Sequence, residues 1–276
     1  MKILIQTVTL RMMPAVSYLT HVKFYIKMKK LKYRIFKERI KQKLFGKSLN
    51  VRQSWEETPK EYRSMVEFLN WFDATDSVQE TIKRASSDWH FRFESFPYFS
   101  EIKKRSVLEI GFGGGRLLSQ AAKVFDVVYG IDIHHNFGMT EKFLASQDIC
   151  NATLLHRDGM GCVPNASVDL IYSFIVFQHF DGMSEVEFYL EHIHRLLTKD
   201  GAAHIYFGKN KDEGVRVTPE SDFQLRDCSL FINPKNMLDR ISKDFDVISY
   251  QDVLPRDPVL NTGESVQAMI LFRNRT

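Results

Sequence analysis

The chain has 276 residues, 44% of them apolar and 26% charged, with a net charge of +4. That allows one large domain, or one domain with appendages, around a full core. It excludes a spanning helix, because no apolar run reaches the roughly 18 residues required. It also excludes a disulfide framework, because Cys150, Cys162 and Cys228 show no paired spacing; a reducing, cytoplasmic setting is expected.

The charge is unevenly placed. Residues 1–53 carry fourteen Lys or Arg against a single acid, Glu38, so this segment is +13 and the remainder of the chain is −9. A basic N-terminal arm on an acidic body follows. Met1 to Leu19 is fairly apolar, interrupted by Arg11 and Pro14, and lacks the clean apolar core and cleavage site of a secretory signal. From Thr20 to Phe45 basic residues interleave with apolar ones at roughly helical spacing. Three uses stay open for residues 20–47. They could lie on an anionic membrane surface with Tyr25, Ile26, Ile35 and Phe36 dipping into lipid, making the protein peripheral there. They could bind RNA phosphates, or dock on the acidic body of this chain or a second copy. Gly46 to Thr58 reads as a linker.

Residues 54–104 are expected to form a helical cap. Pro59 to Trp71 reads as one helix and Val78 to Ala85 as another, with Asp76 or Ser77 as its cap. Trp89, Phe91, Phe93, Phe96, Tyr98 and Phe99 crowd the next stretch. They suit either core packing or a lid over a ligand.

Residues 105–276 form the expected main domain. Strands are expected at 107–110, 127–131, 152–155, 168–174 and 202–207, with helices at 115–124, 139–147 and 184–198 between them. Gly201 is expected to stop the last helix. This alternation argues for a doubly wound α/β sheet. Residues 208–233 read as a polar, irregular insertion, 234–242 as a helix, and 245–253 and 266–273 as a closing pair of strands.

The informative stretch is Val107 to Gly115, Val-Leu-Glu-Ile-Gly-Phe-Gly-Gly-Gly. A buried strand runs into a loop almost bare of side chains, where a ligand can lie against backbone. In the dinucleotide pattern G-x-G-x-x-G/A the third slot would fall on Arg116, too long for close helix–strand packing. No phosphate-binding G-x-x-x-x-G-K-[ST] occurs. The pattern present, E-x-G-x-G-x-G from Glu109 to Gly115, resembles motif I of the class I S-adenosylmethionine (AdoMet)-dependent methyltransferases. Asp132 after the second strand and Asp158-Gly159 after the third fall in the order that family shows, although alone they would read as a helix N-cap and a turn. The resemblance covers residues 105–208 well.

It implies a Rossmann-like, mostly parallel seven-stranded sheet with an antiparallel last strand, and transfer of a methyl group from AdoMet to a small molecule, sugar or glycan. It implies that Glu109, Gly111, Phe112, Gly113 and Gly115 hold the methionine end, Asp132 with Ile133 the ribose region, and Asp158 with Gly159 the adenine. Ser173 would stand at the cleft floor. The aromatic stretch 89–99 and the insertion 208–233 would supply acceptor contacts. His134 and His135 would border the ribose or adenine. An RNA or lipid-linked acceptor engaged through the basic arm is the alternative.

Other chemistries are less supported. His192 and His194 lie two apart on a helix and face different sides, and no CxxC or HExxH occurs, so no metal is expected. His179 is either satisfied by backbone or a base for a substrate hydroxyl. Arg116 and Arg157 either face solvent or bind an anionic substrate. Ser173-Phe174-Ile175-Val176 stands where nucleic-acid amino methyltransferases carry N-P-P-Y. A NAD-dependent sugar reductase would need Tyr-x-x-x-Lys, but Val176 and Ile193 stand four residues after Tyr172 and Tyr189.

Overall fold

The computed structural model describes residues 51–217, 228–253 and 267–275. The basic arm up to residue 50, residues 218–227 of the 208–233 segment and the whole 254–266 segment lie outside the described residues.

Among the described residues the segment before the sheet opens with α1 (Val51–Glu57), α2 (Met65–Asp73) and α3 (Val78–Trp89). The expected linker is therefore helical from Val51, and the expected helix from Pro59 is split. Thr58–Glu61 is a 3-10 turn, and α2 starts only after extended Ser64. Ser77 caps α3 by accepting from the Glu80 N–H at 3.1 Å, while the Glu80 carboxylate accepts from the Asp76 N–H at 2.9 Å. This reciprocal pairing satisfies two otherwise orphaned donors. The π-helical turn His90–Glu94 and α4 (Tyr98–Glu101) complete the segment.

The main sheet contains β1 (Ser106–Ile110), β2 (Val127–Asp132), β3 (Ala152–His156), β4 (Val168–Ser173), β5 (Leu197–Gly208), β8 (Phe245–Val253) and β9 (Gln267–Asn274). Their order is β3-β2-β1-β4-β5-β9-β8. The first five run parallel, and β9 is antiparallel to both β5 and β8. Between them lie α5 (Leu118–Ala121), α6 (Phe137–Ala145), α7 (Met183–Leu196) and α8 (Pro234–Ile241). α5 is shorter than the helix expected at 115–124. Gly201 lies inside β5, where the register with β4 shifts, and a Cβ there would come within 2.9 Å of the Val168 carbonyl. It is a bulge glycine and not a helix stop.

β1 and β4 are buried at every residue, as central parallel strands covered on both faces must be. Alternate residues serve opposite faces. Leu108, Ile110 and Ile171 pack with Tyr189, Leu190 and Ile193 of α7. Val107, Leu170 and Tyr172 face the other way, against Trp89, Phe93, Tyr98 and Phe99. The aromatic stretch is thus core packing between the helical segment and the sheet. His204 of β5 is enclosed there too. Burial drives its pKa down to about 3, and its Nδ1 lies 2.5 Å from the Tyr98 hydroxyl.

The described residues of the insertion after β5 include two short strands. β6 (Val215–Val217) pairs antiparallel with β7 (Leu230–Ile232). Ser229 donates its N–H to the Gln178 carbonyl at 2.7 Å and its Oγ–H to the Phe180 carbonyl at 2.6 Å, pinning the turn that follows β4.

Candidate active site

The C-terminal ends of β1, β2 and β4 meet the first two helices and α7 around a cleft open to solvent. This is where an open α/β sheet places its ligand. Of the residues expected at the site, the cleft is lined by Glu109, Gly111, Phe112, Gly113, Asp132 and Ile133. Gly115, Asp158, Gly159 and Ser173 are not on its wall. Ser173 is fully buried and donates its hydroxyl to the Ile110 carbonyl at 3.0 Å, tying β4 to β1 beneath the loop. Asp158 has a side chain 82% exposed, 3.2 Å from His156 Nδ1.

The loop needs its glycines for shape and space. Gly111, Gly113 and Gly115 have φ of 78°, 51° and 84°. A Cβ on Gly111 would fall 2.3 Å from a Val176 methyl, and one on Gly113 would fall 2.7 Å from the Phe72 ring. Only glycine takes these angles without penalty in so tight a place. The loop is anchored from the β2 side. The Gly113 N–H donates to Asp132 Oδ2 at 2.7 Å, and the Gly113 carbonyl accepts from Thr140 Oγ1 at 3.0 Å. His134 Nδ1 accepts the Asn136 N–H, so its Nε2 carries the proton and donates to the same carbonyl at 3.1 Å. Burial lowers the His134 pKa in keeping with that neutral form. His134 thus supports the loop from behind, and His135 stacks on His156 at 4.6 Å; neither lines the cleft.

The acids of the cleft are in distinct states. Glu109 is buried, 2.9 Å from the Tyr172 hydroxyl that donates to it, and burial pushes its pKa up to about 8. The Asp132 carboxylate accepts from the N–H groups of Gly113, Ile133 and His134, at 2.7, 2.7 and 3.2 Å. That fills three of about four acceptor positions on a carboxylate. Asp73, from the end of α2, gives Oδ1 to Arg116 Nε at 2.6 Å, while its buried Oδ2 has no hydrogen-bond partner among the described residues.

Arg116 corrects its expectation of facing solvent or an anionic substrate. Its side chain is 6% exposed and clamped between Asp73 and Asp88, the latter accepting from Nη1 at 2.5 Å. Burial works to lower its pKa, but the two carboxylates overcome this and raise it.

The sequence did not mark Arg52, Trp55, Phe72, Asp73 and Glu185 as cleft residues, yet they line it, together with Ile175. Ile175 holds φ at 55°, a strained angle for a β-branched residue and a hallmark of functional loops. The His179 ring lies 4.6 Å from the Trp55 ring on the same wall. Neither the 89–99 stretch nor the described part of the 208–233 insertion contributes to the lining. Among the described residues no cluster of His, Cys, Asp or Glu could hold a metal, and no helix is long and apolar enough to cross a membrane.

A seven-stranded sheet with one reversed strand and a glycine loop at the tip of β1 defines a Rossmann-like fold. Residues 108–205 match the family model of a methyltransferase domain. The chain therefore carries a methyltransferase domain of the class I AdoMet-dependent type, with AdoMet as its cofactor. No curated protein matches it in sequence. Solved structures share its fold. A Leishmania major SAM-dependent methyltransferase aligns at 15% identity and TM-score 0.54, covering 79% of this chain and 82% of its own. The Burkholderia thailandensis 1,6-didemethyltoxoflavin-N1-methyltransferase aligns at 17% and 0.53, covering 79% and 91%. A Clostridium acetobutylicum S-adenosylmethionine-dependent methyltransferase aligns at 10% and 0.51, covering 76% and 97%.

Proposed function

We propose that the chain methylates a small-molecule, sugar or glycan acceptor held in this cleft, with the residues of the glycine loop holding the cofactor. The observation that carries the assignment of residues is the charge of the wall. Asp132 and the unpartnered Asp73 Oδ2 flank the bare loop, Glu109 can ionise against a bound cation, and Arg116, the cation that follows the loop in sequence, is consumed by two carboxylates. Such a wall fits an ammonium and a sulfonium and opposes a diphosphate.

When bound, AdoMet supplies a methyl already activated by positive sulfur, so the protein's work is to position and to exclude water. Glu109 and Asp73 are placed to receive the ammonium, with Gly111 and Gly113 offering main chain at close range. Asp132 keeps about one acceptor position for a ribose hydroxyl. Ile133 and Phe112 give the apolar surface beside it, while Asp158 and Gly159 are assigned to the adenine edge by family resemblance alone. His179, on the wall against Trp55, is placed to accept a proton from an acceptor hydroxyl.

Calorimetry with AdoMet against NAD tests the cofactor half, and a radiolabelled-methyl screen over lipid, glycan, RNA and small-molecule fractions tests the acceptor. Asp132→Ala is expected to weaken AdoMet binding by about 1–3 kcal/mol, the worth of a charge-assisted hydrogen bond with loss of the loop's anchor. An affinity equal to wild type would remove Asp132 from the site.

The +13 arm is assigned to an anionic membrane surface, because its Lys and Arg interleave with Tyr25, Ile26, Ile35 and Phe36. Residues from Leu49 onward form one compact unit, so a chain starting there retains α1 whole. The full chain is expected to sediment with phosphatidylserine vesicles and the shortened one to stay in the supernatant. Equal sedimentation, or RNA retardation by the full chain without vesicle binding, would defeat the assignment.

A further inference from the structure

The cofactor assignment leaves part of the cleft wall unexplained: Arg52 and Trp55 of α1, Phe180 after β4, and Glu185 and Tyr189 of α7. Glu185 is the pivot of this group. Its side chain is 8% exposed, and its Oε2 accepts the Asp181 N–H at 3.3 Å. Its Oε1 faces two guanidinium groups, with Arg52 Nη1 at 3.5 Å and Arg157 Nη1 at 3.8 Å. Both separations exceed the N–H···O hydrogen-bond range of about 2.7–3.2 Å. Two cations therefore share one oxygen of one carboxylate, and one positive charge is left over.

The two arginines are not equivalent. Arg157 is 16% exposed and packed over the rings of Phe188 at 4.1 Å and Tyr189 at 5.8 Å; its Nε is buried without a partner among the described residues. It does not line the cleft, and its charge balances Glu185. Arg52 does line the cleft, with a side chain 35% exposed and no hydrogen bond among the described residues. Apart from the Asp73 Oδ2 assigned to the cofactor ammonium, the other charged side chains of the wall are already engaged. Arg116 is held by Asp73 and Asp88, Asp132 by three main-chain N–H groups, and Glu109 by Tyr172.

We infer that this end of the cleft takes an acceptor bearing a carboxylate or phosphate, received by the Arg52 guanidinium, on an apolar or aromatic body packed by Trp55, Phe180 and Tyr189. A planar guanidinium with five donors matches both oxyanions in bidentate fashion. Arg157 is a positioning residue, neutralising Glu185 so that Arg52 meets the ligand as a full charge. This inference rests on the methyltransferase reading of the same cleft and narrows its acceptor class.

The test uses the full chain saturated with S-adenosylhomocysteine, whose own binding is measured by calorimetry in every sample. Benzoate and phenyl phosphate are compared with the neutral isostere benzamide by ligand-observed NMR titration. The anionic probes are expected to bind at least tenfold more tightly than benzamide, and the better of the two identifies the group. Arg52→Met should bring that ratio to about one. Glu185→Gln, which leaves both guanidinium groups unopposed, should raise it severalfold and serves should the first variant fail to fold. S-adenosylhomocysteine binding without preference for charge, or a ratio unmoved in both variants, overturns this inference alone. Failure to bind S-adenosylhomocysteine overturns the cofactor assignment and this inference with it.

Discussion

Replacing Arg116 with methionine is expected to cost about 3–5 kcal/mol of folding stability at pH 7, the scale for breaking a buried ion pair by deleting one partner. Arg116 leaves the loop region and meets Asp73 at the end of α2 and Asp88 near the end of α3. All three side chains are at most 10% exposed. Methionine would fill much of the volume but leave two largely buried carboxylates, with only Arg84, 3.6 Å from Asp88, as a remaining cation. The penalty should therefore belong to the stranded acids more than to the lost arginine. The triple variant Arg116→Met with Asp73→Asn and Asp88→Asn is expected to recover most of the loss, since neutral amides are far cheaper to bury. Urea unfolding with matched m-values measures both. A deficit below about 1 kcal/mol in the single variant, or no recovery in the triple, would show the trio to be an ordinary surface-like pair set. Because Leu69, Phe72 and Asp73 sit against Gly113 and Gly114, the single variant should also lose S-adenosylhomocysteine affinity before it unfolds.

The core of the fold was legible in the sequence because it depends on short-range patterns. Apolar runs such as Val107–Ile110 and Val168–Tyr172 can be satisfied only as buried parallel strands, and the glycines at 111, 113 and 115 mark a loop whose angles other residues resist. Glu109 and Asp132 were legible for the same reason: their spacing from the glycines is local. The rest of the cleft was not, because it is assembled across long sequence distances. Trp55 meets His179, Asp73 meets Arg116, and Arg52 meets Glu185, and no spacing rule links such pairs. Val51–Glu57 read as a linker because its polar residues, seen locally, outweigh the single fully buried Val51. The aromatic stretch left core packing and a lid both open, and the structure shows the first. Its rings were numerous enough for a lid, but their partners are sheet residues such as Tyr172 and His204. Arg116 looked like a surface cation because its two acids lie 43 and 28 residues upstream.

Glu109→Gln is expected to separate stability from cofactor binding, and the sign follows from where the proton sits. Burial holds the Glu109 carboxyl up at about 8 against an ordinary value of 4.5, even though the Tyr172 hydroxyl and Arg116 pull it down. The folded protein therefore keeps a proton between about pH 4.5 and 8 that the unfolded chain has released. Stability from this group is intact below pH 4.5, falls as pH rises through that window, and levels off above pH 8. The full span is on the order of 4–5 kcal/mol. Glutamine keeps an oxygen for the Tyr172 hydroxyl and does not titrate, so the variant should exceed wild type by several kcal/mol at pH 8.5 and match it within about 1 kcal/mol at pH 5. Cofactor binding should run the other way. An ammonium beside Glu109 favours the ionised carboxylate, so AdoMet binding at pH 7 is expected to release up to about one proton. Calorimetry in buffers of different ionisation enthalpy would show that release in wild type and its absence in the variant. The variant's affinity should fall roughly ten- to a hundredfold, matching a lost charged hydrogen bond of about 1.5–3 kcal/mol. A variant that binds AdoMet normally with no change in proton release would place the ammonium elsewhere, leaving Asp73 as the acid that receives it.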